Sequence, residues 1–199
     1  MLARVKSVAT VGLESQEVVV EVDVASGGFP GLTIVGLPDK AVGEAKERVR
    51  KAIDNSGVEY PNKRITVNLS PADLPKEGSN YDLPIAVGIM IAGVELVIDP
   101  EVSEGAYFYG ELGLDGSLKH SRGVLLSAML AKGRGITKLF VAVLSANEAA
   151  VVHGVGEIHR EADQQPHAEA LPGDERQVGH EQSAGEHAQH RDHRMPGAS

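Results

Sequence analysis

Between Glu17 and Val24 every second residue is a valine (Val18, Val20, Val22, Val24), with Glu17, Glu21 and Asp23 in alternate places between them. A period of two in β-branched side chains marks a strand with one face in a core and the other in water. A strand of that kind needs partners, so the chain must build a sheet around it. Arg4 to Val11 reads as the strand before it. After Gly27-Gly28-Phe29-Pro30-Gly31, Leu32 to Val35 reads as a third. Gly36-Leu37-Pro38-Asp39 then opens a helix that runs to about Asn55. Ala41, Val42, Ala45, Val49, Ala52 and Ile53 share one face of it, and Lys46, Arg48, Arg50 and Lys51 lie away from that face or on its edges. Pro38 in the first turn and Asn55-Ser56-Gly57 after the last are start and stop signals.

The alternation continues. Arg64 to Leu69 is a strand, and a Pro- and Gly-punctuated loop leads from it to an apolar helix beginning near Asp82 (Ile85, Ala86, Val87, Ile89, Met90, Ile91). Ala106 to Leu112 and Ser117 to His120 flank Leu114-Asp115-Gly116, where the Asp-Gly pair predicts a hairpin. Val124, Leu125, Ala128, Met129 and Leu130 predict a further helix, ended by Gly133 and Gly135. Lys138 to Leu144 gives a last strand and Ala146 to Val152 a short helix. The expected fold class is α/β (α+β), a mixed sheet covered by helices, over residues 1–152. Residues 153–199 contain no Phe, Tyr or Trp and are dominated by His, Gln, Glu, Ala, Gly and Pro. Such a segment cannot bury enough apolar surface to offset the entropy of ordering, so disorder is predicted there.

Composition narrows the function classes. The 199 residues carry a formal charge of −9, which repels DNA, RNA and anionic membranes at the level of the whole molecule. Aromatic residues make up 4%, which leaves few platforms for stacking bases. The absence of cysteine excludes disulfides, thiolate metal sites and Cys nucleophiles, and suits a reducing cytoplasm. Neither a leader-like apolar run nor a stretch of membrane-spanning length occurs. A cytoplasmic protein is expected.

Three blocks carry a resemblance. They are Gly36-Leu37-Pro38-Asp39-Lys40-Ala41-Val42-Gly43-Glu44 with Glu47-Arg48-Val49-Arg50; Val67-Asn68-Leu69-Ser70-Pro71-Ala72-Asp73-Leu74-Pro75-Lys76-Glu77-Gly78 with Tyr81-Asp82-Leu83-Pro84-Ile85-Ala86; and Gly110-Glu111-Leu112-Gly113-Leu114-Asp115-Gly116-Ser117-Leu118 with Arg122-Gly123-Val124-Leu125. In this order they resemble the N-terminal domain of the ComM/YifB family, the magnesium-chelatase-like AAA+ ATPases. The resemblance implies a Lon-protease-like (ribosomal-protein domain 2-like) fold with helices on one side of a mixed sheet. It also implies an AAA+ module further along, and a family role in ATP-driven DNA branch migration during natural transformation. The chain departs from the family in several places. A P-loop needs a Gly-Lys-Ser/Thr run to hold phosphates, and no Gly-Lys dipeptide occurs anywhere in this chain. ATP and Mg are therefore expected only for the intact family protein. Leu126 stands where the family usually has Pro. The loss of pattern after Val152 predicts a truncated product with a frame-shifted or fused tail.

Lon-type proteases place a Ser in a strand–loop–helix of this kind and activate it with a Lys. The matching loop position here is Asn80, whose carboxamide cannot act as an alkoxide nucleophile, and the resemblance puts the lysine position at Leu125. Ser79, with Lys76 or Lys119 as base, is the residual hydrolase alternative. Asp82 is expected to stabilise the start of its helix, and Lys76 and Glu77 to form an exposed loop pair. The Lys46, Arg48, Arg50, Lys51 group reads as a solvated face, with phosphate contact as its functional alternative. Gly27 to Gly31 lacks the following Lys and helix of a phosphate cradle. His180, His187, His190 and His193 in the tail suit at most adventitious Zn or Ni binding. No catalytic, cofactor-binding or metal-ligating residue is predicted. The expected function is a non-enzymatic accessory domain acting in assembly or DNA guidance. Its partners would be other copies of itself or an AAA+ ring, with weak DNA contact and no membrane. An independent DNA-binding module is the remaining alternative.

Overall fold

A computed structural model describes residues 1–93 and 105–153. The predicted tail beyond His153, and with it His180, His187, His190 and His193, lies outside these residues. Ten-residue β1 (Leu2–Val11) turns at Gly12, whose φ of 62° suits glycine, into eleven-residue β2 (Glu14–Val24). The two pair antiparallel, Leu2 opposite Asp23 through Val11 opposite Glu14. β3 (Gly31–Val35), α1 (Asp39–Asn55), β4 (Arg64–Ser70) and α2 (Asp82–Gly93) follow. Next come β5 (Ala106–Phe108), the small hairpin β6 (Glu111–Leu112) and β7 (Leu118–Lys119), and α3 (Val124–Gly133). β8 (Lys138–Phe140), a 3-10 turn (Val143–Ser145) and α4 (Ala146–Ala150) end the series. The main sheet has the order β3-β4-β2-β1-β5-β8. β4, β2 and β1 are mutually antiparallel, while β3 on β4 and β5 on β1 and β8 are parallel. The mixed sheet and the alternating elements are as expected.

The alternating valines explain how the layers form. Val18, Val20, Val22 and Val24 are all buried and pack with Ile65, Val67 and Leu69 of β4 against α1 and α2. Ala106 and Phe108 of β5 join Val5 and Val87 on that same side. The intervening residues point the other way, and at the β1–β5–β8 end they meet a second layer. There Val8, Tyr107, Tyr109 and Leu139 pack against Val124, Ala128 and Ala131 of α3 and Ala149 of α4. Helices therefore cover both faces at that end, where the resemblance implies one side only. Small residues let α3 lie close to the sheet, so its buried face is Val124, Ser127, Ala128 and Ala131, while Leu125 and Met129 are exposed.

α2 approaches the opposite face just as closely, through Gly88. A Cβ there would lie 2.5 Å from Cγ2 of Val22, a stiff β-branched side chain that is itself fully buried. Gly88→Ala is expected to destabilise the fold by about 1–3 kcal/mol through overpacking, despite alanine's better helix propensity. Urea titration checks this, and a neutral or stabilising result would show that α2 can shift.

Two predicted strands are shorter than the sequence suggests. The Ala106–Leu112 run leaves the main sheet after Phe108 because Gly110 turns to the α2 loop. Its N–H donates to the Asn80 carbonyl (3.0 Å), and its own carbonyl accepts the Leu83 N–H (3.1 Å). The Lys138–Leu144 run ends at Phe140, opposite Phe108, where its partner strand also ends. Val143 and Leu144 enter the 3-10 turn instead.

Candidate functional site

Strand β4 delivers the chain into the loop 71–81 that precedes α2. Lys76 holds this loop together from inside. It is 2% exposed, and its ammonium donates to the carbonyls of Leu74 (3.0 Å) and Pro71. Burial pushes its pKa below the ordinary lysine value, partly opposed by Asp73. The expected exposed Lys76–Glu77 pair is thus corrected. An ammonium on a flexible stem can reach carbonyls of its own loop, a partnership that residue spacing does not reveal.

At Gly78 (φ 83°) the loop turns toward β5, β6 and α1. The Ser79 hydroxyl donates to the Glu111 carboxylate. Asn80 donates its amide N–H to the Tyr109 hydroxyl (2.9 Å), which in turn donates to the Arg122 carbonyl (2.7 Å), at the entry to α3. Tyr109 is buried, and burial raises its phenol pKa. The two positions implied by the Lon resemblance therefore lie on segments joined through one tyrosine. Leu125 itself occupies the first turn of α3, after Gly123 in the left-handed conformation, and is 40% exposed.

Asp82 is 1% exposed and opens α2, yet its carboxylate bonds to other elements. Arg48 of α1 grips it through Nε (2.6 Å) and a second guanidinium nitrogen (3.3 Å), and the Leu112 N–H donates to it at 3.4 Å. Burial lifts the Asp82 carboxyl above its usual range against the pull of Arg48, and Asp82 holds the Arg48 guanidinium above its own. The capping role expected for Asp82 gives way to a tie between α1, α2 and β6. The basic face of α1 is correspondingly reduced, because Arg48 is spent on Asp82 and Arg50 lies over the Tyr60 ring at 5.5 Å.

This geometry does not assemble a Ser–Lys pair. Ser79 faces a carboxylate, the Lys76 ammonium is held by backbone, and Lys119 binds the Ser117 hydroxyl at 2.8 Å with Asp115 at 3.8 Å. A surface cleft of about 280 Å³ lies elsewhere, between the β1–β2 turn and Asp73-Leu74-Pro75, and none of Ser79, Asn80 and Glu111 lines it. The glycine-rich segment Gly27 to Gly31 runs straight into β3, with Phe29 94% exposed at its tip, and so does not sit at a helix N-terminus of the kind that binds phosphates. Among the described residues no group of three or more His, Asp or Glu could hold a metal ion, and no helix is long and apolar enough to cross a membrane. Sequence reasoning missed Tyr109, Glu111 and the structural roles of Arg48 and Lys76. Only the run Gly110-Glu111, falling within the third motif block, hinted that this segment does more than pair in a sheet.

Comparison with known proteins bears directly on this architecture. Residues 20–145 match the family described as subunit ChlI of Mg-chelatase. Competence protein ComM of Haemophilus influenzae is 48% identical over 151 residues, covering 76% of this chain and 29% of the relative. YifB of Escherichia coli, itself described as uncharacterized, is 44% identical over 155 residues, or 78% of this chain and 30% of the relative. An uncharacterized protein of Mycobacterium tuberculosis is 41% identical over 154 residues, with 77% and 30% covered. The chain spans about 30% of the length of these relatives. With its three motif blocks in order on α1, on β4 and α2, and on β6, β7 and α3, and with relatives matched at this level, the chain belongs to the ComM/YifB family of Mg-chelatase-like proteins, as their N-terminal domain.

Proposed function

We propose that this chain is a non-catalytic accessory domain of a ComM/YifB-type protein, working by contact with the remainder of such a protein or with further copies of itself. One observation carries the reading. At the loop position where a Lon-type protease would hold its nucleophile, Asn80 is committed to Tyr109 and through it to the Arg122 carbonyl. Lys76, Ser79 and Asn80 of the loop are all engaged in internal hydrogen bonds, and none of the three lines the surface cleft. The name of the Haemophilus relative extends the proposal to natural competence, in which this domain would position the motor or guide DNA to it. DNA contact through α1 would rest on Lys46 and Lys51, since Arg48 and Arg50 are engaged, so weak and salt-sensitive affinity is expected. The cytoplasm is the compartment this role implies.

A fluorogenic peptide assay on the purified chain, with Ser79→Ala alongside, tests the reading. The expected outcome is no hydrolysis that depends on Ser79. Activity present in the parent and abolished by the substitution would establish a hydrolase and overturn the accessory role. ATP turnover by the chain, measured with and without DNA, should likewise stay at background.

A further inference from the structure

The 3-10 turn and α4 form a two-faced segment. Ser145, Ala146 and Ala149 are buried, and the Ser145 hydroxyl is pinned by the Ser121 N–H (3.2 Å) and the His120 ring (2.9 Å). The opposite face carries Val143, Leu144 and Val151, which are 42%, 78% and 67% exposed. Its only charge is Glu148, which has no ion pair among the described residues. Three aliphatic side chains on a segment whose inner face is held by packing and hydrogen bonds make a firm apolar strip. Its place in the chain matters. The family match stops at Ser145, inside this segment, while the relatives are more than three times as long as the part aligned here.

We infer that Val143, Leu144 and Val151 form the seam on which the polypeptide following this domain in full-length relatives docks, through an aliphatic face with a Lys or Arg placed for Glu148. The inference rests on the assembly reading above and names the surface it uses. Other exposed apolar residues include Leu13 at the β1–β2 turn, Phe29 in the glycine-rich loop, Leu114 in the β6–β7 turn and Met129 on α3; of these, Leu13 and Phe29 lie farthest along the chain from Ser145, where the family match stops.

The chain contains no cysteine, so Leu144→Cys, Val151→Cys and Leu13→Cys each supply a single thiol. Each is made in the full chain and in a fusion in which the continuation of the Haemophilus relative, its cysteines changed to serine, replaces the residues after His153. Maleimide labelling at positions 144 and 151 is expected to slow about tenfold or more in the fusion, while position 13 changes less than about twofold. Slowing at position 13 alone would overturn this seam and leave the assembly reading standing. Equal labelling of all three in both proteins would overturn both. Should the fusion fail to fold by circular dichroism, the full-length Haemophilus protein with single cysteines at the aligned positions gives the same readout.

Discussion

Replacing Arg48 with alanine is expected to destabilise the domain by about 3–5 kcal/mol, because it leaves the Asp82 carboxylate buried without its counter-ion. Asp82 is 1% exposed, and the Leu112 N–H at 3.4 Å is too long to replace a guanidinium held at 2.6 Å. Denaturant titration of parent and variant measures the loss, and Asp82→Asn in the Arg48→Ala background should recover part of it. The pH dependence has a definite sign. Burial already raises the Asp82 pKa in the folded state, and removing Arg48 raises it further. A folded-state pKa above the unfolded one adds stability below the unfolded value, and that addition is lost as pH rises through the folded value. The variant's deficit should therefore shrink as pH falls from neutrality, as Asp82 takes up a proton. A deficit that is small, or that grows on acidification, would mean Asp82 is hydrated in solution.

Gly36→Ala should be nearly as damaging, at about 2–4 kcal/mol, since it combines backbone strain with a collision. Gly36 joins β3 to α1 with φ at 95°, a conformation that side chains disfavour. Its Cβ would sit 2.7 Å from the Leu69 carbonyl oxygen and 3.2 Å from the Leu69 Cβ. The obstacle is the backbone of β4, a strand bonded on both sides, so no rotamer change can relieve it. Relief requires α1 to move, and α1 carries Arg48. The expected result is a lowered urea midpoint together with increased exchange of the Leu112 amide. A variant within about 0.5 kcal/mol of the parent would show that the β3–α1 turn adapts.

The elements that could be read in advance were those decided by local periodicity. The valine alternation of β2, the apolar face of α1 and the start of α2 at Asp82 all follow from residues within one or two turns of each other. What escaped was decided at a distance. Arg48 read as part of a solvated helix face, although its carboxylate partner Asp82 lies on another helix. Lys76 looked solvated because charged residues in loops usually are, and carbonyl acceptors leave no mark in the sequence. Ala106 to Leu112 read as one strand because the apolar pattern crosses Gly110 without interruption. The break comes from the hydrogen bonds of Gly110 to Asn80 and Leu83, which only the assembled fold supplies. Val124, Leu125, Ala128, Met129 and Leu130 marked a helix but not its buried face, because α3 is seated by its alanines while Leu125 and Met129 are exposed.

The strand order also bears on how the molecule is made. β1 and β2 meet through a tight turn and can zip together as soon as both leave the ribosome. The closure of β5 on β1, with Lys6 beside Tyr107, must wait for a loop that holds most of the domain. The layer built from α3, β8 and α4 is therefore the late-maturing half. In a longer protein of this family, that layer would be completed only as the residues after it emerge.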